Sequence, residues 1–323
     1  MDAVTKSKQD FQTVAVLAGG IGTERDVSLM SGQTVYRALQ KTGLDVVFFD
    51  ITPDDMSILD DDSIDIFFPI LHGQFGEDGK LQAVLEERGL CFTGSGSASS
   101  RLAIDKAASK TAFTRAGVEV PKSYAVFDRS FEDKKLNGLP EEAMKYVVKP
   151  IRHGSSVGVQ IADSRTEAIQ AAKDCYSRYR ECMIEAFISG REITVGVVDD
   201  RTLPIVEIRS QQAFYNYEAK YVSDATRYLF DTIEDSALIQ RIQEQALACF
   251  QSLECRHWGR IDFIVADDAI PYVLEANTLP GFTSHSLIPM AAARAGISAD
   301  QLCLKICEAA WRDRKPKTHS VET

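Results

Sequence analysis

The stretch of sequence that decides the fold is residues 258–287, WGRIDFIVADDAIPYVLEANTLPGFTSHSL. It contains two apolar runs, residues 260–265 and 271–277, which are separated by the short segment Ala-Asp-Asp-Ala at 266–269. Two strand-like runs joined by a short turn predict a β-hairpin.

Four polar residues should share one face of this hairpin. Glu275 and Asn277 are two apart on one strand, so both side chains leave the same face. If the turn is centred between residues 268 and 269, Asp262 lies directly opposite Glu275, and Arg260 lies on that face too. Carboxylate and amide oxygens with room for phosphates suit Mg²⁺, which binds through one or two carboxylates plus the nucleotide.

The alternative is an ordinary polar strand face that meets water, which any antiparallel hairpin can have. One observation argues against this alternative. Glu275 lies at the end of an apolar strand, and the short segment Ala-Asn-Thr-Leu connects it to Pro280-Gly281. We therefore interpret the segment as a catalytic hairpin that handles a metal ion or phosphate.

Composition narrows the class of protein. The 323 residues suffice for two or three domains, and 45% hydrophobic with 26% charged residues is typical of a soluble protein. A net charge of −11 gives a nucleic-acid partner no electrostatic support. The seven cysteines form no CxxC pair, which favours free thiols in a reducing compartment. No apolar segment predicts a signal or a membrane span, so we expect a cytoplasmic protein with no membrane partner.

The chain opens with a strand, a glycine turn and a helix, predicted at residues 13–18, 19–25 and 27–39. This order is how α/β folds present backbone N–H groups to an anion, although many such units bind nothing. Glu24 is unusual there, because an acid would repel an anionic ligand. It either caps the helix dipole or faces a cationic group such as an ammonium.

His72 begins a glycine-containing loop at the end of an apolar strand, where open α/β sheets bind ligands. We expect it to contact substrate, although a lone histidine there is more often structural. The other elements predicted for this first α/β domain are strands at residues 44–51, 64–71 and 91–94 and helices at 80–88 and 102–116.

A second unit contains a small-residue loop, residues 151–156, between two predicted strands. Its N–H groups could lie over phosphates, with Lys149 neutralising their charge. The loop is not a Walker motif, because no helix follows it at the required spacing; the alternative is an ordinary hairpin loop. The elements predicted from here on are strands at residues 118–127, 146–149, 157–161, 181–188, 192–198 and 203–209, helices at 166–179, 236–253 and 297–312, and an aromatic-rich irregular lid at 210–228.

With these motifs in order, the chain resembles the D-alanine–D-alanine ligase family of the ATP-grasp superfamily. The resemblance is carried by GGIGTERDVSLMSG at 19–32, HGQFGEDG at 72–79, KPIRHGSSVG at 149–158, YEAKY at 217–221, GRID at 259–262 and residues 274–287. It implies an α/β ATP-grasp fold with an N-terminal Rossmann-like parallel-sheet domain. The implied domains are an N-terminal substrate domain at 1–105, a central small lobe at 106–190 and a C-terminal catalytic domain at 191–323 with a lid at 210–228.

The resemblance also implies the chemistry. In similar enzymes ATP phosphorylates the carboxylate of one D-alanine, and the amine of a second attacks the acyl phosphate, which supplies peptidoglycan precursor synthesis. ATP would be a substrate, and two Mg²⁺ or Mn²⁺ ions would be cofactors. The resemblance also allows a homodimer.

Individual roles follow from the matching motifs. Glu24 would hold the first ammonium and would join Ser155 and Tyr221 in a hydrogen-bonded trio, while Arg260 and the Gly281 backbone would stabilise the oxyanion. The implied sites are catalytic Glu24, Ser155, Tyr221 and Arg260; substrate-binding His72, Gly281, Ser286 and Leu287; ATP-binding Lys106, Lys149, Glu185, Glu192 and Lys220; and metal-binding Asp262, Glu275 and Asn277.

Two positions depart from the family pattern: His153 stands where a carboxylate is common, and Gly22 where a serine is usual. Two other functions remain open. One is a different ATP-dependent carboxylate–amine or depsipeptide ligase, and the other is a non-catalytic nucleotide-binding relative.

Overall fold

The computed structural model describes residues 10–141, 144–210, 226–283 and 285–314. Its strands are β1 (Thr13–Gly19), β2 (Asp45–Ile51), β3 (Ile66–Pro69), β4 (Ser123–Phe127), β5 (Tyr146–Lys149), β6 (Gln160–Ala162), β7 (Cys182–Ala186), β8 (Gly190–Val198), β9 (Arg201–Thr202), β10 (Val206–Ser210), β11 (Thr226–Leu229), β12 (Trp258–Ala266) and β13 (Pro271–Asn277). Its α-helices are α1 (Arg25–Gln40), α2 (Lys80–Glu87), α3 (Ser97–Ile104), α4 (Lys106–Arg115), α5 (Arg165–Tyr179), α6 (Ser236–Ser252), α7 (Leu287–Arg294) and α8 (Ala299–Arg312).

The N-terminal sheet is parallel, in the order β2-β1-β3. Strands β1 and β3 are almost wholly buried, as the near-continuous apolar runs of a central parallel sheet require. The strand predicted at residues 91–94 is wrong: it is reduced to one parallel bridge between Phe67 and Phe92. The chain turns away at Gly94, whose φ of 91° belongs to the left-handed region that ends an extended run.

The second sheet is antiparallel, in the order β4-β7-β5-β6, and helix α5 packs on it through a shared apolar core. Its register places Glu185 opposite Val147, with Lys149 two residues further along β5. Lys149 is therefore a diagonal neighbour of Glu185 on the same face of the sheet.

The third sheet is also antiparallel, in the order β11-β10-β8-β12-β13, with β9 added beside β8. The predicted hairpin is confirmed, and Asp262 pairs with Glu275. The predicted turn centre is wrong by half a residue: Phe263 pairs with Val273, so the turn is centred on Asp268. A β-bulge that leaves Leu274 without a partner restores the expected pairing beyond it.

The helix predicted at residues 102–116 is two helices, because Asp105 adopts an extended conformation (φ −81°, ψ 96°). Its carboxylate caps α4 by accepting from the N–H groups of Ala107 and Ala108 at 3.1 and 2.9 Å. The segment at 226–229, expected to be irregular, pairs with β10, since its register continues that antiparallel edge. Helix α7 was not predicted.

The hydrophobic clusters cross the boundaries expected from sequence. Phe113 of α4 and Val118 are buried with Ile261 and Phe263 of the third sheet, although 106–190 was assigned to the central lobe. The limits 1–105, 106–190 and 191–323 stay predictions. All seven cysteines lie in described parts of the chain and are free thiols, as predicted. No helix within the described ranges is long and apolar enough to cross a membrane.

Candidate active site

Two cavities meet at the hairpin. The larger, of about 620 Å³, lies between the second and third sheets, and its size is typical of a site for a nucleotide-sized ligand. The smaller, of about 80 Å³, lies between the loops of the N-terminal unit and the chain that leaves β13. Lys106 and Glu275 line both cavities, so a group bound in one can reach a group bound in the other.

The buried face of β12 carries a bidentate ion pair. Arg260 Nε and Nη2 donate to the two carboxylate oxygens of Asp262 at 2.8 and 2.9 Å, which the two-residue spacing on one strand allows. Thr194 Oγ1 of β8 also donates to Asp262 Oδ1, at 2.6 Å. Both members of the pair are buried, so this geometry orients the guanidinium toward the smaller cavity, which it lines.

Glu275 is the more accessible carboxylate, with 28% of its side chain exposed, and it lies 3.1 Å from Lys106 Nζ. Asn277 Oδ1 accepts from the Leu279 N–H at 3.2 Å, which orients the amide. Two carboxylates and an amide oxygen are hard ligands, and they fit Mg²⁺ or Mn²⁺ held together with a nucleotide. No cluster of three His, Cys, Asp or Glu able to hold a metal occurs among the described residues.

The larger cavity is lined by the predicted nucleotide residues Lys106, Lys149, Glu185 and Glu192. Lys149 Nζ lies 2.5 Å from one oxygen of Glu185, and Lys110 of α4 pairs with the other oxygen. Burial alone would raise the pKa of Glu185, but the two ammonium groups outweigh it and lower that pKa. Glu185 therefore stays ionised in the cavity wall.

Two loops meet at the smaller cavity. Ser155 Oγ donates to Glu24 Oε1 at 2.5 Å, which joins the loop after β5 to the start of α1. Glu24 passes close over Gly73, where an added Cβ would lie 2.6 Å from the carboxylate oxygen and φ is 70°. Two members of the predicted trio are thus brought together, while Tyr221, like Lys220, lies outside the described residues.

Glu77 was missed by the sequence analysis. Its carboxylate accepts from the Gly73 N–H at 2.7 Å and lines the smaller cavity beside Glu24. Burial, reinforced by the Glu24 charge, raises the pKa of Glu77 to about 8. Its place in the 72–79 motif was the available signal, but nothing in the spacing predicted that it would face Glu24.

His72 lines the smaller cavity with both ring nitrogens engaged. Nδ1 lies 3.0 Å from the Leu279 carbonyl oxygen, which can only accept, so Nδ1 carries the proton. Nε2 lies 3.1 Å from Ser31 Oγ, which itself accepts from the Phe282 N–H. Burial lowers the pKa of His72 to about 4, so the ring is neutral and ties the N-terminal unit to the chain around Gly281.

The N-terminus of α7 forms another part of the lining of the smaller cavity. Ser286 precedes the helix and Leu287 begins it, and both line the cavity together with Gly281. Ser286 Oγ accepts from the Thr283 N–H at 2.8 Å. Unpaired N–H groups and the helix dipole make such a terminus suited to a carboxylate.

The loop over both cavities is held by Arg152, whose guanidinium contacts Asp105, Asp128 and Glu181 at 2.6 to 2.7 Å. Nδ1 of the next residue, His153, lies 3.6 Å from the Glu181 carboxylate. At this position, which departs from the family pattern, the imidazole therefore has a carboxylate beside it.

The second departure, Gly22, has a φ of 97° and no atom within 4 Å of an added Cβ. A serine would have room there but would need a backbone conformation that L residues rarely adopt.

Comparison with known proteins agrees with this architecture. The family models described as D-ala D-ala ligase N-terminus and C-terminus match residues 55–95 and 113–308. A D-alanine–D-alanine ligase of Herminiimonas arsenicoxydans is 38% identical over 98% of this chain and 96% of its own length.

Two solved structures are similar over almost the whole chain. The D-alanine–D-alanine ligase of Bacillus anthracis complexed with ATP is 34% identical, with a TM-score of 0.80 over 95% of this chain and 99% of that one. The VanG D-Ala:D-Ser ligase of Enterococcus faecalis is 26% identical, with a TM-score of 0.81 over 93% and 100%. The predicted α/β ATP-grasp fold is thereby confirmed, and the chain belongs to the D-alanine–D-alanine ligase family.

Proposed function

We propose that this enzyme joins two D-alanine molecules into D-alanyl-D-alanine while ATP is converted to ADP and phosphate, and so supplies peptidoglycan precursor synthesis. The observation that carries the proposal is the pair of cavities that meet at Glu275. The smaller is lined both by carboxylates and by a helix N-terminus, which complement the ammonium and carboxylate groups of amino acids.

ATP is assigned to the larger cavity. Its volume, its two buried lysines and its position between two antiparallel sheets support a bound nucleotide, and the Bacillus anthracis relative is complexed with ATP. Lys106 and Lys149 would meet phosphates, while Glu185 and Glu192 would lie nearer the base and ribose. Asp262, Glu275 and Asn277 would hold two Mg²⁺ or Mn²⁺ ions, which neutralise phosphate charge when bound.

The residues of this chain would then act in two stages. Glu24 holds the ammonium of the first D-alanine, so that the carboxylate of that D-alanine faces the γ-phosphate of ATP. A carboxylate oxygen of the substrate attacks the γ-phosphorus, ADP leaves, and an acyl phosphate is formed. The second D-alanine, with its carboxylate at Ser286 and Leu287, attacks the acyl carbon through its deprotonated amine. Arg260 and the Gly281 N–H donate to the oxyanion, which collapses as phosphate leaves.

His72 helps to hold the backbone that carries Gly281. Both of its ring nitrogens are hydrogen-bonded and the ring is neutral, so it is suited to holding the Leu279–Phe282 backbone rather than to moving a proton. That backbone carries Gly281, whose N–H is assigned to the oxyanion.

The test is product identity. With D-alanine as the sole amino acid, we expect ADP release and a D-alanyl-D-alanine product by mass spectrometry, with little reaction of L-alanine. Because the 217–221 motif is kept, added D-lactate should divert little of the product at neutral pH. A dominant D-alanyl-D-lactate peak would contradict the acceptor assignment, and ATP binding without any ligation would indicate a non-catalytic relative.

A cytoplasmic location, an option of homodimerisation and the lack of a nucleic-acid partner complete the proposal. The location and the lack of a nucleic-acid partner rest on the composition and on the role in precursor synthesis, and the homodimer rests on the resemblance to the family. All three stay predictions.

A further inference from the structure

Lys110 is a buried lysine that the proposed reaction does not use. The described residues contain three buried lysines: Lys106, Lys110 and Lys149. Lys106 and Lys149 line the larger cavity, whereas Lys110 lies behind its wall with 4% of its side chain exposed. It is one helical turn after Lys106 on α4, so both lysines leave the same face of that helix.

The Lys110 side chain crosses between two parts of the fold. Helix α4 packs into the core of the third sheet through Phe113, while the Lys110 ammonium pairs with Glu185 on β7 of the second sheet. The ion pair therefore fixes one wall of the nucleotide cavity relative to the other.

Glu185 is shared between two cations. One carboxylate oxygen pairs with Lys110 and the other lies 2.5 Å from Lys149, which the strand register makes its diagonal neighbour. Removing the single cationic partner of a buried carboxylate is costly, because an unpaired charge is left in the interior. A buried carboxylate with two cationic partners can lose one partner and remain paired with the other. With Lys110 in place, Lys149 can turn toward a phosphate and leave Glu185 still paired.

We propose that Lys110 is a positioning residue for the nucleotide, which holds Glu185 and thereby leaves the Lys149 ammonium available to the phosphates. This inference rests on the proposed function, because it requires ATP in the larger cavity.

The charge environment supports this role. Among the residues that the structure describes, two charged groups face Lys110: Glu185 from β7 and Lys149 from β5. Burial lowers the pKa of Lys110 to about 7. The negative charge of Glu185 raises this pKa, and the positive charge of Lys149 lowers it further. As pH rises past this value the ammonium loses its proton, Glu185 holds Lys149 more strongly, and nucleotide binding should weaken. A bound polyphosphate should draw that proton back.

The experiment measures binding of an ATP analogue with an imido β–γ bridge by calorimetry, without D-alanine, at about pH 6.5 and about pH 8.5. Lys110→Met should weaken binding about 10-fold or more at the lower pH. Lys110→Arg should bind like the wild type at the lower pH and lose less affinity at the higher pH, because arginine keeps its charge. Arg115→Met, which removes an exposed cation from the same helix, is the matched control and should bind like the wild type.

A second readout is proton exchange. Repeating the titrations at about pH 8.5 in buffers of different ionisation enthalpy should show more proton uptake on binding by the wild type than by Lys110→Arg. Steady-state assays should place the effect of Lys110→Met on the KM for ATP rather than on the KM for D-alanine.

Unchanged affinity in folded Lys110→Met would overturn the inference, and so would an equal pH response and proton uptake in Lys110→Arg. If Lys110→Met does not fold in a thermal melt, the wild-type and Lys110→Arg profiles decide; a wild type without proton uptake then refutes it. If the wild type makes the dipeptide but the Lys110 variants bind the nucleotide analogue as the wild type does, this inference fails and the proposed function stands. The expected binding differences without dipeptide formation would remove the proposed function alone.

Discussion

The hydrogen bond between Ser155 and Glu24 makes a sharp prediction about how the two loops close over the substrates. It joins residues 131 positions apart, and Ser155 holds it from a left-handed backbone conformation with φ of 54°. We consider Ser155→Ala, Glu24→Gln and the double variant, each compared with the wild type.

The magnitude follows from the charge on the acceptor. A hydrogen bond to a charged group contributes about 1.5 to 3 kcal/mol, and one between neutral groups about 0.5 to 1.5 kcal/mol. In the Glu24→Gln background, Ser155 still meets an amide oxygen, so removing its hydroxyl should cost less. The two changes should therefore be coupled by about 1 to 2 kcal/mol, or about 5- to 30-fold in kcat/KM.

The assay is ADP release at limiting D-alanine with saturating ATP, from all four proteins. Ser155→Gly is the backbone control, because it removes the same hydroxyl while glycine accepts the left-handed conformation without strain. Ser155→Gly should lose activity much as Ser155→Ala does, which assigns the loss to the hydroxyl. Additive effects of the two substitutions, within about 0.5 kcal/mol, would refute the reasoning.

Two further predictions concern the metal site and the pH dependence of stability. Glu275→Gln, at a side chain 28% exposed, should keep its circular dichroism spectrum but lose more than about tenfold of its Mg²⁺-dependent turnover; near-normal turnover at saturating Mg²⁺ would remove the metal assignment. The pKa of His72 falls to about 4 on folding from an ordinary value of 6.5, so the unfolded chain binds more protons between these values and stability is lost as pH falls through them. At pH 5 this group should lower the free energy of unfolding by about 2 kcal/mol relative to pH 7, and urea melts of His72→Gln should lack that part of the decrease. An unchanged pH dependence in the variant would show that His72 titrates normally in the fold.

The sequence by itself determined the features that depend on local periodicity and short-range spacing. The two apolar runs around residues 266–269 predicted the hairpin, and the period of two put Glu275 and Asn277 on one face of it. The pairing of Asp262 with Glu275 was expected from a turn centre that differs from the observed one, and the bulge restores it. The order of the motifs indicated the family. These features depend on neighbouring residues along one or two strands, where the period of two leaves little freedom.

Tertiary structure decided how separate elements meet. The bulge at Leu274 depends on how β13 pairs along the full length of β12. At the break after Asp105, the Lys106 N–H donates to the carbonyl of Ile151, which is distant in the chain. The ion pair of Lys110 with Glu185 and the charge repulsion between Glu77 and Glu24 arise between segments that are distant in the chain.

The physical reason is that a side chain's pattern reports which face it leaves, but not which element will cover that face. Lys106 and Lys110 share a helix face that the sequence shows, yet their partners come from two different sheets. The perturbed pKa values of Lys110, Glu77 and His72 arise in the same way, because burial and neighbouring charge exist only after the sheets and loops have assembled.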